Sequence, residues 1–205
     1  MYAIVTDNEI TKFINHPKSL VIGDVRYPAK IFSVWSASEL NAIGIYEVVF
    51  DNSNKKDEKW YINTNQSFDF DGNEVTASYG TATPKAHADT LWTAQDETDG
   101  KGTEGEVATR GLKYNLIKDL KLQVANELAK TDWYITRNTE KSTAIPSAIS
   151  THRDSVRTKQ ASMETQITNA SDTPALETLY TYVNTGTEEN PVYEKPLGEL
   201  PTLES

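Results

Sequence analysis

The hydrophobic period of this chain changes once, and that change limits what it can fold into. Up to about residue 80 the apolar side chains alternate with polar ones, as in IYEVVFD and SFDFDGNEVTAS. From Gly111 onward Leu112, Leu116, Leu120, Val124 and Leu128 recur every fourth residue, with Ile117 thickening the stripe. A period of two places apolar groups on one side of a strand, and a period near 3.6 places them on one face of a helix. The sequence therefore predicts an α+β chain: a β-rich N-terminal domain over 1–83, a polar linker over 84–110, a C-terminal helical hairpin over 111–172 and an extended proline-containing tail over 173–205.

The punctuation supports this division. Asp7-Asn8 separates the apolar runs of MYAIVTDNEITKFI and tolerates the left-handed backbone of a tight hairpin. Gly23-Asp24 does the same within SLVIGDVRYPAKIF, and Pro28 marks an edge or a bend. Ser36 and Glu39 have the spacing of a capping box, and Gly44 is placed to end one or two helical turns. TATPKAHADTLWTAQDETDGKGTEGEVATRG has few apolar anchors, so order is expected only where Leu91 and Trp92 dock. Pro146 suits the start of a second helix, whose apolar positions Ile149, Val156, Met163 and Ile167 form a narrow helix–helix seam. No repeat period is apparent.

Several function classes fall away on charge and composition. The formal net charge is −10, and gripping phosphate backbones takes clustered Lys and Arg, so no nucleic-acid partner is expected. The longest apolar runs are too short for a span of ~20 residues, so no membrane insertion is expected. MYAIVTDNEI lacks the basic and apolar regions of a signal peptide, which predicts synthesis without Sec export. With no cysteine there is no disulfide or thiolate site.

Candidate chemistry is sparse. His16, His87 and His152 lie in three different segments with no ligand spacing, so no metal or cofactor is expected. DFDGNE at 69–74 begins like a calcium loop but lacks its later glycine and terminal glutamate, and the flanking alternation makes it a hairpin turn. GKGTEG at 100–105 follows no apolar strand and is no phosphate cradle. Ser150, His152 and Asp154 point different ways on a helix, so they do not make a triad, and no enzyme is supported.

One stretch stands out against this background. TDWYITRNTEKSTAIP joins the two predicted helices and carries Trp133 and Tyr134 in a polar context. Folded back over the open end of the hairpin, they plug it, with Arg137 and Glu140 paired along the connector. Turned outward, they anchor a partner, since Trp, Tyr and Arg dominate binding hot spots. The plug is the expectation from sequence. The candidate residues for interaction or plugging are Trp133, Tyr134 and Arg137 with Ile149, Arg153, Val156 and Met163 of the second helix.

The run LAKTDWYITRNTEKSTAIPSAISTHRDSVRTKQ resembles the C-terminal module of small tailed-bacteriophage proteins of the tail assembly chaperone and tail-fibre assembly family. Leu128, Asp132, Trp133, Arg137, Glu140, Pro146, Arg153 and Arg157 carry the likeness. YPAKIFSVWSASELNAIGIYEV is similar to the head of many phage tail proteins. In place of the family's frequent Trp-Pro ending, this chain ends in LGELPTLES. The resemblance implies a virion structural protein of the tail, neck or fibre-attachment region, made in the host cytoplasm. Its partners would be other phage subunits or further copies of itself. A dissociable assembly chaperone is the alternative, and a host-surface carbohydrate module stacking sugars on Trp35, Trp60 or Tyr61 is a third reading.

Overall fold

The computed structural model describes residues 1–203, which form two compact units, Met1–Thr83 and Pro84 onward. The first is β-rich and the second is dominated by helices, so the chain is α+β.

In the first unit β1 (Tyr2–Thr6) and β2 (Glu9–Ile14) form a hairpin about Asp7 and Asn8, both with positive φ, which gives the two-residue turn its twist. A second hairpin joins β3 (Leu20–Ile22) to β4 (Val25–Tyr27) through Gly23 at φ 57°. Two short helices follow, α1 (Ile31–Val34) and α2 (Ala37–Asn41). The capping box at α2 is complete: Glu39 N–H donates to Ser36 Oγ at 3.4 Å, and Ser36 N–H donates to the Glu39 carboxylate at 2.8 Å. Gly44, at φ 79°, is required by a close approach. A Cβ there would lie 2.6 Å from the Val5 carbonyl oxygen, beside the backbone bond from Val5 N–H to the Gly44 carbonyl.

The chain continues through β5 (Ile45–Asp51), β6 (Tyr61–Ile62), β7 (Ser67–Phe70) and β8 (Val75–Ser78). The main sheet has the order β2-β1-β5-β8-β7, antiparallel except for β5–β8. It curls until its two edge strands meet through Phe13 and Phe68, whose ring centroids are 4.4 Å apart. One side buries Ala3, Val48, Val75 and Ala77 beneath Tyr46 and Phe70. The other packs Ile45 on Ile31 and Leu40, flanked by Tyr2, Leu20, Ile22 and Tyr27. DFDGNE is the β7–β8 turn: the Asp71 carboxylate accepts the Asn73 and Glu74 N–H groups at 2.8 Å, bonds that hold it below the usual carboxylate range.

β9 (Thr83–Pro84) lies at the division between the units. The stretch expected to be a linker, 84–110, is instead built. β10 (Thr90–Leu91) pairs with β11 (Val107–Thr109), and α3 (Ala94–Thr98) between them has its own Thr93–Asp96 capping box. Asp96, held by Thr93 and by Lys101, is lowered to about 2. Asp89 receives Gly111 N–H at 2.8 Å and pairs with Arg110 at 2.6 Å. Gly111 sits so close to the backbone of Ala88 that a Cβ would come within 2.3 Å. Polar side chains order this segment through local bonds, which is why its lack of apolar anchors misleads.

Helix α4 (Leu112–Ala129) lies antiparallel to α6 (Ser147–Asn169). Lys113 Nζ reaches the Thr168 carbonyl at one end, while Glu127 faces His152 at the other. Leu116, Leu120 and Val124 are buried on α4, and Ile149, Val156, Met163 and Ile167 on α6. The expected connector between them contains a further helix, α5 (Asp132–Lys141). The expected extended tail is also corrected. It opens with α7 (Thr173–Tyr180), capped by Asp172 with Pro174 in the first turn where no N–H is needed. A hairpin of β12 (Val183–Asn184) and β13 (Tyr193–Glu194) follows. Leu197 is then buried, its N–H donating to the Leu179 carbonyl at 3.1 Å. Residues 204 and 205 of the expected tail lie outside the described residues.

Candidate interaction surface

The junction of α4 and α5 depends on one cation. Arg153, on the buried seam of α6, donates from Nη1 to the Leu128 carbonyl at 2.8 Å, to Thr131 Oγ1 at 2.7 Å and to Asp132 Oδ1 at 2.8 Å. The carbonyl belongs to the last turn of α4 and the carboxylate to the first turn of α5. One guanidinium thus satisfies the end of one helix and clamps the start of the next. Lys141 in the last turn of α5 and left-handed Ser142 after it complete the element.

Clamped in this way, α5 turns its aromatics outward. Trp133 is 52 % exposed and Tyr134 half-buried, and their rings lie against each other with centroids 3.7 Å apart. The plug is therefore corrected: Arg153 and Thr131 fill the place at the helix end that the indole was expected to take. Arg137 is exposed one turn on, with its guanidinium 6.0 Å from the Trp133 ring centroid, and it makes no ion pair with Glu140. Ile135 adds a partly exposed aliphatic group to the same helix. Of the predicted residues, Ile149, Arg153, Val156 and Met163 are thus interior support, while Trp133, Tyr134 and Arg137 are surface.

The triple Ser150, His152 and Asp154 does not converge: His152 is buried and the other two are exposed. Trp60 and Tyr61 are 3 % and 4 % exposed, which removes them as a sugar-stacking platform, and Trp35 is half-buried edge-on to Tyr27. Among the described residues no group of three His, Cys, Asp or Glu side chains is placed to hold a metal ion, and no helix is long and apolar enough to cross a membrane.

Sequence reasoning missed a polar pair beside the clamp. Glu127 and His152 are both buried, with Oε1 and Nε2 facing at 3.3 Å and neither atom making an aligned hydrogen bond. The Lys130 ammonium, hydrogen-bonded to the other carboxylate oxygen, does most to hold Glu127 below the usual carboxylate range, and His152 and the Leu203 N–H add to it. The sign follows: a depressed native pKa contributes stability above the ordinary carboxylate value and loses it as pH falls through the native one. Melting temperature between about pH 5 and pH 3 should fall less steeply in Glu127→Gln than in the parent. Parallel acid profiles would show that Glu127 carries no linkage.

No protein-family model matches the chain, and neither a curated protein nor a solved structure matches it at a significant level.

Proposed function

We propose that this chain is a non-enzymatic structural protein of a bacteriophage virion, in the tail, neck or fibre-attachment region, and that its work is to bind neighbouring subunits. The observation that carries the reading is the exposed Trp133–Tyr134 pair, held on a helix whose start is fixed by a buried arginine. A half-exposed indole next to a guanidinium is the composition of a protein-binding hot spot, and a clamped helix presents it with little ordering cost. The likeness of this same stretch to phage tail assembly proteins supplies the context. Quantitative proteomics of purified particles tests the assignment: a virion component is present at a fixed copy number per particle. Abundance in infected cells with absence from particles would replace it by the assembly-chaperone reading.

A further inference from the structure

A different face, in the first unit, collects positive charge in a chain of net charge −10. A cleft of about 490 Å³ opens between the main sheet and the β3–β4 hairpin. Its apolar lining is Ile4, Ile14, Leu20 and Val21, and its polar lining is Lys12, Lys18, Ser19 and Arg26, with no carboxylate. The three cations arrive from three places. Lys12 is on β2 opposite Ile4, Lys18 is in the connection after β2, and Arg26 is on β4 opposite Val21. Among the described residues their side chains make no ion pair and no hydrogen bond, and the Ser19 hydroxyl makes none either. Lys101, Arg110, Lys130, Arg153 and Lys195, by contrast, each meet a carboxylate.

Gathering like charges around one concavity is unfavourable without a counter-charge, and low-dielectric walls concentrate the resulting field. The cleft is within the size range of small-ligand sites, which combine an apolar lining with a few placed polar groups. We propose that it binds a small organic polyanion, with carboxylate or phosphate groups meeting Lys12, Lys18 and Arg26 and a compact body seated on Ile4, Ile14 and Leu20. An acidic protein segment suits it less well, since a stable protein contact spreads over roughly 800 Å² per partner rather than one concavity.

The test uses the full chain, with citrate and inorganic pyrophosphate as probes, by calorimetry and amide chemical-shift mapping at about 50 mM salt. The expected result is saturable one-to-one binding of at least one probe with Kd below about 1 mM, and shifts centred on residues 12–26. Each of Lys12→Gln, Lys18→Gln and Arg26→Gln should weaken it about three-fold, and the triple variant at least about ten-fold with unchanged circular dichroism. Tighter citrate points to a polycarboxylate and tighter pyrophosphate to a phosphorylated compound. No saturation by either probe, or equal binding by the triple variant, overturns the proposal. So does binding of a hexaglutamate peptide where both small anions fail, which would make the cleft a docking point for an acidic segment.

Discussion

Arg153→Met is expected to destabilise the helical unit by about 3 kcal/mol, the largest stability loss foreseen for a single change outside the apolar seam. Hydrogen bonds to a charged group contribute about 1.5–3 kcal/mol each, and a buried acceptor left unpaired costs about 1–3 kcal/mol. The three acceptors are not equal. Thr131 is 1 % exposed, so its hydroxyl oxygen loses a donor that water cannot readily replace. The Leu128 carbonyl keeps the Thr131 N–H at 3.1 Å and the Thr131 hydroxyl at 3.0 Å and loses only its charged donor. The Asp132 side chain is 61 % exposed and re-solvates at little cost, so its share is discounted. Methionine keeps most of the aliphatic volume, which confines the loss to the polar contacts. Melting followed by helical circular dichroism should shift by about 10 °C for a unit of this size. Asp132→Asn should cost less than about 1 kcal/mol, and Arg153→Lys should fall between the two, because a lysine keeps the charge but ends one bond short of the Nη1 position that reaches all three acceptors. A melting curve for Arg153→Met within about 1 °C of the parent would remove the clamp as the support of α5.

That clamp marks where the sequence stops being readable. The strands and the α4–α6 seam are legible because each is a local repeat: Asp7-Asn8, Ser36 with Glu39 and the four-residue leucine spacing report geometry within a few positions. Arg153 could be noticed only as part of a motif. Its role depends on Leu128 and Thr131, more than twenty residues earlier, arriving at the same point in space. Helix α5 was hidden for the same reason. DWYITRNTEK has no apolar stripe and is poor in strong helix formers, so its termini are its main local support, Asp132 at one and Lys141 at the other. The missing signal was the absence of Gly and Pro between 132 and 145, which leaves nothing to stop a helix once one is started. In 84–110 the order comes from carboxylates bonding backbone N–H groups, as Asp89 and Asp96 do, and hydropathy does not register such bonds. In the tail the prolines obscured two anchors, Leu176 and Leu197, both buried.

Trp133→Ala should leave the fold nearly untouched and remove most of what α5 offers a partner. The indole is 52 % exposed, and its main contact is the neighbouring ring of Tyr134, a stacking worth about 0.5–1.5 kcal/mol. The melting temperature of the full chain should therefore fall by no more than about 4 °C, against the loss of about 3–5 kcal/mol that a buried tryptophan would cost. Exposure can be checked without a partner. Trp133→Phe should remove the most acrylamide-accessible share of the fluorescence, because Trp60 is buried, Trp35 is half-buried against Tyr27 and Trp92 is half-buried. On the virion role proposed above, affinity for a neighbouring subunit should then drop by about 2 kcal/mol or more in Trp133→Ala, roughly thirty-fold, with a smaller loss for Arg137→Ala at the edge of the same patch. The contrast with Arg153→Met separates the two roles: that variant loses stability first and binding only as a consequence, while Trp133→Ala loses binding at constant stability. Normal incorporation of Trp133→Ala into particles, measured by quantitative proteomics against the parent, would take the aromatic pair out of the interface and leave its exposure without a function.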